Sequence, residues 1–384
     1  MPASRELVEP TSAEETAEAL HSAGRRVRTR GAGTKLRWGR AVPEPDVELS
    51  TERLDAIVEH NAGDFTAIVQ AGAKLADAQR TFAEAGQMLA LDPCLGAADG
   101  ATLGGVVATA DAGPLRHRYG AARDLVLGVQ VALPDGKVAR AGSRVIKNVA
   151  GYDLAKLFSG SFGTLGVIVE LSVRLHPQPH GTASARARST DPQVLARGAS
   201  ALAHEPLEHI CLDVGWDGDD GTVVARFAGS TATQQARAAI VALAREGIES
   251  DLVEDDGALW DEHRSAQRSA AGTVLRVSAT QTRMGDVLSA ARRHGARTVG
   301  RAANGIAWLT LPEASAADTV ATVAQLRAEL APAPCVVLDT PDAVREALDP
   351  WGEVDSALFE LTRRVKERFD PARTCNPGLF LGGL

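Results

Sequence analysis

Three glycine-rich stretches carry the chemistry this sequence can do. "RTRGAGTKL" places Gly31-x-Gly33 between Arg30 and Lys35, "GATLGGVVATADAGP" contains Thr102-x-Gly104-Gly105, and "LFSGSFGTLGVIVEL" spaces Gly160, Gly163 and Gly166 by three. Glycine inside a regular element costs roughly 0.5–1 kcal/mol against alanine. Runs of it imply that something large lies close against the backbone. The chemistry on offer is anion binding by main-chain N–H groups. In the first stretch a tight turn can aim consecutive amides at one point, with Arg30 and Lys35 adding charge. In the second, Thr102 opens a short helix whose unbonded N–H groups and positive dipole end suit a phosphate. A hydrogen bond to a charged group contributes roughly 1.5–3 kcal/mol, so a handful hold a pyrophosphate without any catalytic side chain. The third stretch reads as another close approach to the same ligand.

Each stretch is attached to a strand. "RRVRTR" reads as a strand running into the first. A Ser-x-x-Glu capping box starts a helix over 12–24, and strands are expected at 46–49, 56–60 and 65–70. "AKLADAQRTFAEAG" reads as an amphipathic helix closed by Gly86. "LVLGVQVALPDGKVARAG" reads as a hairpin around "PDG", and "GTLGVIVELSVRL" as a strand broken by "HPQPH". Beyond 180 the pattern predicts helices over 192–204, 231–246, 285–294 and 315–330. Strands are expected at 209–216, 222–228, 274–279 and around 297–311, an α+β sheet covered on one face. The tail reads as a helix followed by a Pro/Gly-rich end. No internal repeat is visible. Leu36 replaces the third glycine of a dinucleotide fingerprint, no helix pattern follows it, and no segment carries a Walker A loop.

Length and composition bound the rest. The chain has 384 residues, which predicts two or more domains. Its net charge of -8 argues against a nucleic-acid partner. The acidic N-terminus lacks an apolar core for a signal peptide, and no apolar run is long enough to span a membrane. A cytoplasmic location is therefore expected, with any membrane association coming through partners. The four cysteines, Cys94, Cys211, Cys335 and Cys375, form no C-x-x-C, so neither zinc nor an iron–sulfur cluster is signalled.

"RGAGTK", the run from Asp92 to Gly142, "VIKNVAGYDLAKLFSGSFGTLGVIVELSVRLHPQP" and the end "RFDPARTCNPGLF" together resemble the FAD-binding fold of the vanillyl-alcohol oxidase (PCMH) type. Within it the chain is most similar to the smaller of the FAD-binding subunits of bacterial glycolate oxidases. The resemblance is dense over 1–180 and at the C-terminal end. It implies an α+β architecture: an FAD-binding domain over 1–180, an α+β cap over 181–335, and a C-terminal segment over 336–384 returning to the FAD domain. It implies that Arg30, Gly31, Ala32, Gly33, Thr34 and Lys35 cradle the pyrophosphate. Gly100, Ala101, Thr102, Gly104 and Gly105 would form the second loop along FAD. Ala110, Gly113, Tyr119 and Gly120 would follow it toward the flavin. Gly166, Val167 and Ile168 would meet the adenine end, and Asn376 would lie close to the flavin.

The departures are informative. Many relatives tether FAD through a histidine after the first loop; "RGAGTK" supplies none, so FAD is expected to be non-covalent. The histidine-rich metal motif of the 2-hydroxy-acid dehydrogenases is missing, so no metal is expected. A 2-hydroxy acid needs its carboxylate clamped and its hydroxyl deprotonated. Arg264 and Arg276 are candidates for the clamp and His263 for the base. Leu379 stands where the family's "NPG" is usually followed by arginine. The first reading is an FAD-binding subunit of a glycolate or 2-hydroxy-acid oxidase, working beside a larger flavoprotein subunit and an iron–sulfur subunit. The alternatives are a stand-alone FAD oxidoreductase, a non-catalytic structural subunit, and a peptidoglycan-precursor reductase of the same fold.

Overall fold

The computed structural model describes residues 6–143 and 154–384. Two larger sheets and one two-stranded pair build the N-terminal part. β1 (Glu6–Val8) is followed by α1 (Ala13–Ala23), which starts where the Ser12 hydroxyl accepts the Glu15 N–H and ends at Gly24, φ 54°. With β2 (Val27–Arg30) and β3 (Val47–Ser50), β1 forms a parallel sheet in the order β1-β3-β2. β4 (Ile57–Asn61) and β5 (Thr66–Gln70) lead into α2 (Leu75–Glu84) and the two-residue β6 (Gln87–Met88). Then come α3 (Leu103–Thr109) and two single turns, α4 (Arg116–Tyr119) and α5 (Ala122–Leu125). The hairpin β7 (Val126–Ala132) and β8 (Val138–Gly142) follows. The turn α6 (Ala155–Phe158) precedes β9 (Val167–Arg174) and β10 (His176–Pro177), which pairs with β6. The larger sheet is antiparallel, in the order β4-β5-β9-β7-β8. A register shift between Gln130 and Val131 lets β9 serve two cores. Val167 and Val169 pack with Leu20 of α1, while Leu171 and Val173 pack with Phe82 of α2 and Val106 of α3.

The middle of the chain forms one eight-stranded antiparallel sheet. Its first half is β11 (Thr182–Ser189), α7 (Pro192–His204), β12 (Cys211–Asp217), β13 (Asp220–Ala228), α8 (Ala232–Arg245) and β14 (Ser250–Val253). After α9 (Gly257–Ser265) the second half repeats the pattern: β15 (Val274–Ser278), α10 (Met284–Arg293), β16 (Arg297–Arg301), β17 (Ile306–Thr310), α11 (Ala316–Leu330) and β18 (Cys335–Val337). The sheet order is β14-β11-β13-β12-β16-β17-β15-β18. Each half is a βαββαβ unit, and the two meet edge to edge at β12 and β16 in mirrored strand order. The expectation of no internal repeat therefore holds for the sequence and fails for the structure. Apolar alternation alone specifies such a unit, so two copies can share it without shared residues. β11 was missed because its buried face is alanine, at Ala183, Ala185 and Ala187.

Helices α7, α8, α10 and α11 cover one face of this sheet around Leu202, Leu243, Leu288 and Leu326. The opposite face turns to the FAD-binding part: Val274, Val299 and Trp308 pack with Trp38 and Phe162. β18 extends the sheet to Val337, so the boundary expected at 335 falls inside a strand. α12 (Asp342–Ala347) and α13 (Ser356–Phe369) follow. The tail then returns to β2, where Val27 N–H donates to Thr374 and Val27 C=O accepts from Asn376, both at 2.9 Å. None of the described helices is long and apolar enough to cross a membrane.

Candidate functional site

A cleft of about 240 Å³ opens where β2 ends. Its walls are the turn Gly31–Lys35, the start of α3, the loop Phe162–Gly163 with the start of β9, and the C-terminal loop at Asn376 and Pro377. Among the described residues, the amides of Gly31, Ala32, Gly33, Thr34 and Lys35 donate to no protein acceptor. Five successive unbonded donors are costly unless water or a ligand takes them. The turn has the form of an anion nest. A Cβ at Gly31 would stand 2.2 Å from Thr102 Oγ1, so glycine lets the first and second loops touch. Gly33 has φ 77°, which turns the chain within the nest. These features fit a bound pyrophosphate.

Arg30, Gly31, Ala32, Gly33, Thr34, Lys35, Thr102, Gly104, Gly105, Gly166, Val167 and Ile168 all line the cleft. Gly100 lines a neighbouring one, together with Cys94 and Arg268. Ala101, Ala110, Gly113, Tyr119 and Gly120 line neither cleft. Gly113 instead lies against the backbone of Asp92, and Tyr119 rests on His176 at 4.7 Å between ring centres. The segment from Arg144 to Asp153, which includes all of "KNVAGYD", lies outside the described residues.

Two expectations change. The start of α3 does not offer spare amides. Leu103 and Gly104 donate to Ala73 and Ala71 carbonyls at 2.8 and 2.7 Å, and Gly105 donates to Thr102 Oγ1. Gly104 is glycine because a Cβ would press on Ala71 at 2.7 Å, which is chain packing and no ligand contact. The flanking cations are also engaged. Arg30 bonds Glu48 at 2.7 Å and Glu52 at 2.6 Å, and Lys35 pairs with Asp111 at 3.2 Å. The cradle is thus main-chain amide, with Arg30 and Lys35 already paired to carboxylates. Local hydrogen-bond partners of this kind are invisible to motif reading. Gly163, expected from its glycine stretch to approach the ligand, and Leu379, which follows "NPG", line the cleft too. Thr29, Leu36, Trp38, Thr51, Ala108, Thr109 and Phe162 also line it. Sequence reasoning passed over them because most contribute backbone or an apolar surface.

Of the catalytic candidates Asn376 lines the cleft, whereas His263 and Arg264, consecutive on α9, do not. Asn376 reaches the cleft, but its Oδ1 accepts the Thr29 N–H at 3.1 Å and its Nδ2 donates to Phe162 C=O at 2.8 Å. It ties β2, the 162 loop and the tail together, at φ 42°. His263 Nδ1 lies 3.1 Å from Asp213 Oδ2, the oxygen that also takes Arg301 Nη1. Arg264 pairs with Asp261 and stands 3.9 Å from Asp92. Burial pushes the Asp92 carboxyl up to about 7, against the pull of the Arg264 and Arg301 charges. Burial likewise pulls His117, stacked on His209 at 4.5 Å, down to about 4.

Residues 5–142 match the FAD-binding domain family. Glycolate oxidase subunit GlcE of Escherichia coli is 31% identical over 252 residues, covering 65% of this chain and 67% of that protein. The chain belongs to the GlcE family of FAD-linked oxidoreductases. An uncharacterized FAD-linked oxidoreductase of Mycobacterium tuberculosis is 34% identical over 212 residues, 52% of this chain. The chain spans about half the length of that relative, whose matched share is 45%. This chain has the vanillyl-alcohol oxidase-type fold. An alkyldihydroxyacetonephosphate synthase superposes with TM-score 0.69 and 15% identity, over 97% of this chain and 76% of that one.

Proposed function

We propose that this chain is the FAD-binding subunit of a glycolate- or 2-hydroxy-acid-oxidising complex. It would hold FAD non-covalently in the cleft at the end of β2. The observation that carries the reading is the row of five unbonded amides from Gly31 to Lys35. Their most fitting ligand is a pyrophosphate in a GlcE-family member. Bound there, FAD would supply the two-electron acceptor for oxidation of the acid. The protein's part is to orient it. The nest holds the phosphates, Thr102 sets the start of α3 against the nest, and the Asn376 amide clips the tail over the 162 loop. No histidine or cysteine is among the described residues lining the cleft, which supports attachment without a covalent bond.

A larger flavoprotein subunit and an iron–sulfur subunit would complete the complex. His263 and Arg264 do not line the cleft and Asn376 is held by two hydrogen bonds, which supports a partner that furnishes the proton acceptor. The test is a visible spectrum of the purified chain, repeated anaerobically with glycolate and with D-lactate. Flavin bands that stay oxidised until the partner subunits are added are expected. Bleaching by the chain alone would favour a stand-alone oxidoreductase. A colourless protein that FAD cannot reconstitute would leave only a structural role.

A further inference from the structure

The nest amides are aimed by the carbonyls of the peptides they belong to. A trans peptide is planar, with C=O and N–H pointing opposite ways. A donor that holds the carbonyl therefore sets the direction of the N–H. Arg30 C=O accepts the Thr51 N–H at 2.8 Å, which sets the Gly31 amide. Gly31 C=O accepts Arg30 Nη1 at 3.0 Å, which sets Ala32. Gly33 C=O accepts the Leu36 N–H at 3.3 Å, which sets Thr34. Thr34 C=O accepts Arg268 Nη2 at 3.1 Å, which sets Lys35. The first three donors belong to the FAD-binding part. The fourth comes from the cap, from the loop between α9 and β15.

Arg268 is itself held in place. Its Nε and Nη2 bond Asp339 at 2.6 and 3.0 Å, and its guanidinium lies 4.9 Å from the centre of the Trp38 ring. Asp339 also accepts Trp38 Nε1 at 2.8 Å and the Ser269 N–H at 3.2 Å. Trp38 is buried, and its own N–H donates to the Lys35 carbonyl at 3.1 Å. The guanidinium cannot swing off Thr34 without loosening its grip on the carboxylate. It lines the second cleft together with Ala32, Gly33 and Thr34. A hydrogen bond from a cation is stronger than one between neutral groups, and it polarises the peptide it meets, so that the N–H of that peptide becomes a better donor.

We propose that Arg268 is a positioning residue for the cofactor: through it the cap orients and polarises the Thr34–Lys35 peptide, so that the nest is complete only with the cap docked. The proposal rests on the FAD-binding reading and adds a dependence of cofactor affinity on the cap. By reciprocity, FAD in the nest holds the cap in place.

The test is fluorescence titration of FAD into the whole deflavinated chain. Arg268→Gln combined with Asp339→Asn removes both charges, so no ion is left buried alone, and the urea midpoint checks the fold. This double variant should weaken FAD by about tenfold or more. Arg268→Lys keeps the ion pair and lacks the planar fork that serves two acceptors at once. Its affinity should fall between those of the parent and the double variant. Gln267→Leu is the control: Gln267 Nε2 donates to the Ala112 carbonyl at 2.9 Å, joining the cap to the FAD-binding part away from the nest. It should leave FAD affinity unchanged. With FAD absent, the Lys35 amide resonance, read in protein carrying isotope-labelled lysine, should move in both Arg268 variants and stay in Gln267→Leu. An equal loss of affinity in Gln267→Leu would trace the effect to cap docking in general and overturn the proposal. Parent-level binding by either Arg268 variant, or an unmoved Lys35 resonance, would overturn it as well. A parent chain that binds no FAD would instead sink the FAD-binding reading, and it is seen in the absorption spectrum before any variant is compared.

Discussion

At the residue scale, the nest depends on one close approach. Gly31→Ala would set a methyl 2.2 Å from Thr102 Oγ1, so the first and second loops must part. Losing one or two charged hydrogen bonds weakens FAD by about 10- to 100-fold. Fluorescence titration of FAD into the deflavinated variant would measure this, with an unchanged circular dichroism spectrum as the control. Asp92 gives a pH signature. Its carboxyl titrates near 7 when folded and near the ordinary carboxylate value when unfolded. The folded state therefore binds the extra proton between these values. The stability contributed by Asp92 is fullest below about pH 4 and is lost as pH rises through 7. Asp92→Asn should flatten that slope in urea denaturation across pH 4–8. The glycines of the nest were legible in the sequence because no other residue makes such a turn cheaply. The pairing of Arg30 with Glu48 was not, because β3 is brought beside β2 only by folding. Gly104 was misread for the same reason: the Ala71 carbonyl that its amide meets belongs to a loop thirty residues away.

At the element scale, α13 anchors the tail that closes the cleft. Buried Lys366 donates to Asp370 and Thr164 at 2.6 Å and to Cys375 at 2.9 Å. Asp370 also accepts the Thr374 and Cys375 amides. Lys366→Met leaves a carboxylate buried without its cation and should cost about 3–5 kcal/mol. A shift of that size in the urea midpoint is the expected result, together with loss of flavin, because the tail carries Asn376. Long amphipathic elements such as α2, α7, α8 and α11 were legible from apolar spacing. β11 was not: alanines at period two contribute little hydrophobic contrast, and only the helices packed over them reveal the buried face. The short β14, β18 and α12 escaped because their pairing is supplied by distant strands.

At the scale of the whole molecule, the two parts are locked across the cleft. Trp38 Nε1 donates to Asp339 at 2.8 Å, Arg268 pairs with the same carboxylate, and Phe162 packs edge-on against Trp351. With FAD bound, calorimetry should show one cooperative transition. Removing FAD should lower it and split it in two, since a ligand at a hundredfold its dissociation constant adds about 2.7 kcal/mol. The sequence changes character near residue 180, beside the start of β11 at Thr182. The duplication within the cap was not visible in it, because strand order is a property of assembly.

The neutralised surroundings of the nest have a consequence for handling the protein. With Arg30 and Lys35 committed to carboxylates, FAD phosphates in the proposed site would be held chiefly by dipoles at contact range, and of the cleft's cations Arg345 bonds only the Gly39 and Arg40 carbonyls. Mobile ions screen charge over distance and act weakly at contact. The protein as a whole is negative, by 8 charges, and so repels an anionic cofactor from afar. Raising ionic strength should therefore not strip the flavin. Dialysis against molar sodium chloride should leave the yellow colour intact, and FAD should enter the empty protein somewhat faster in salt than in dilute buffer.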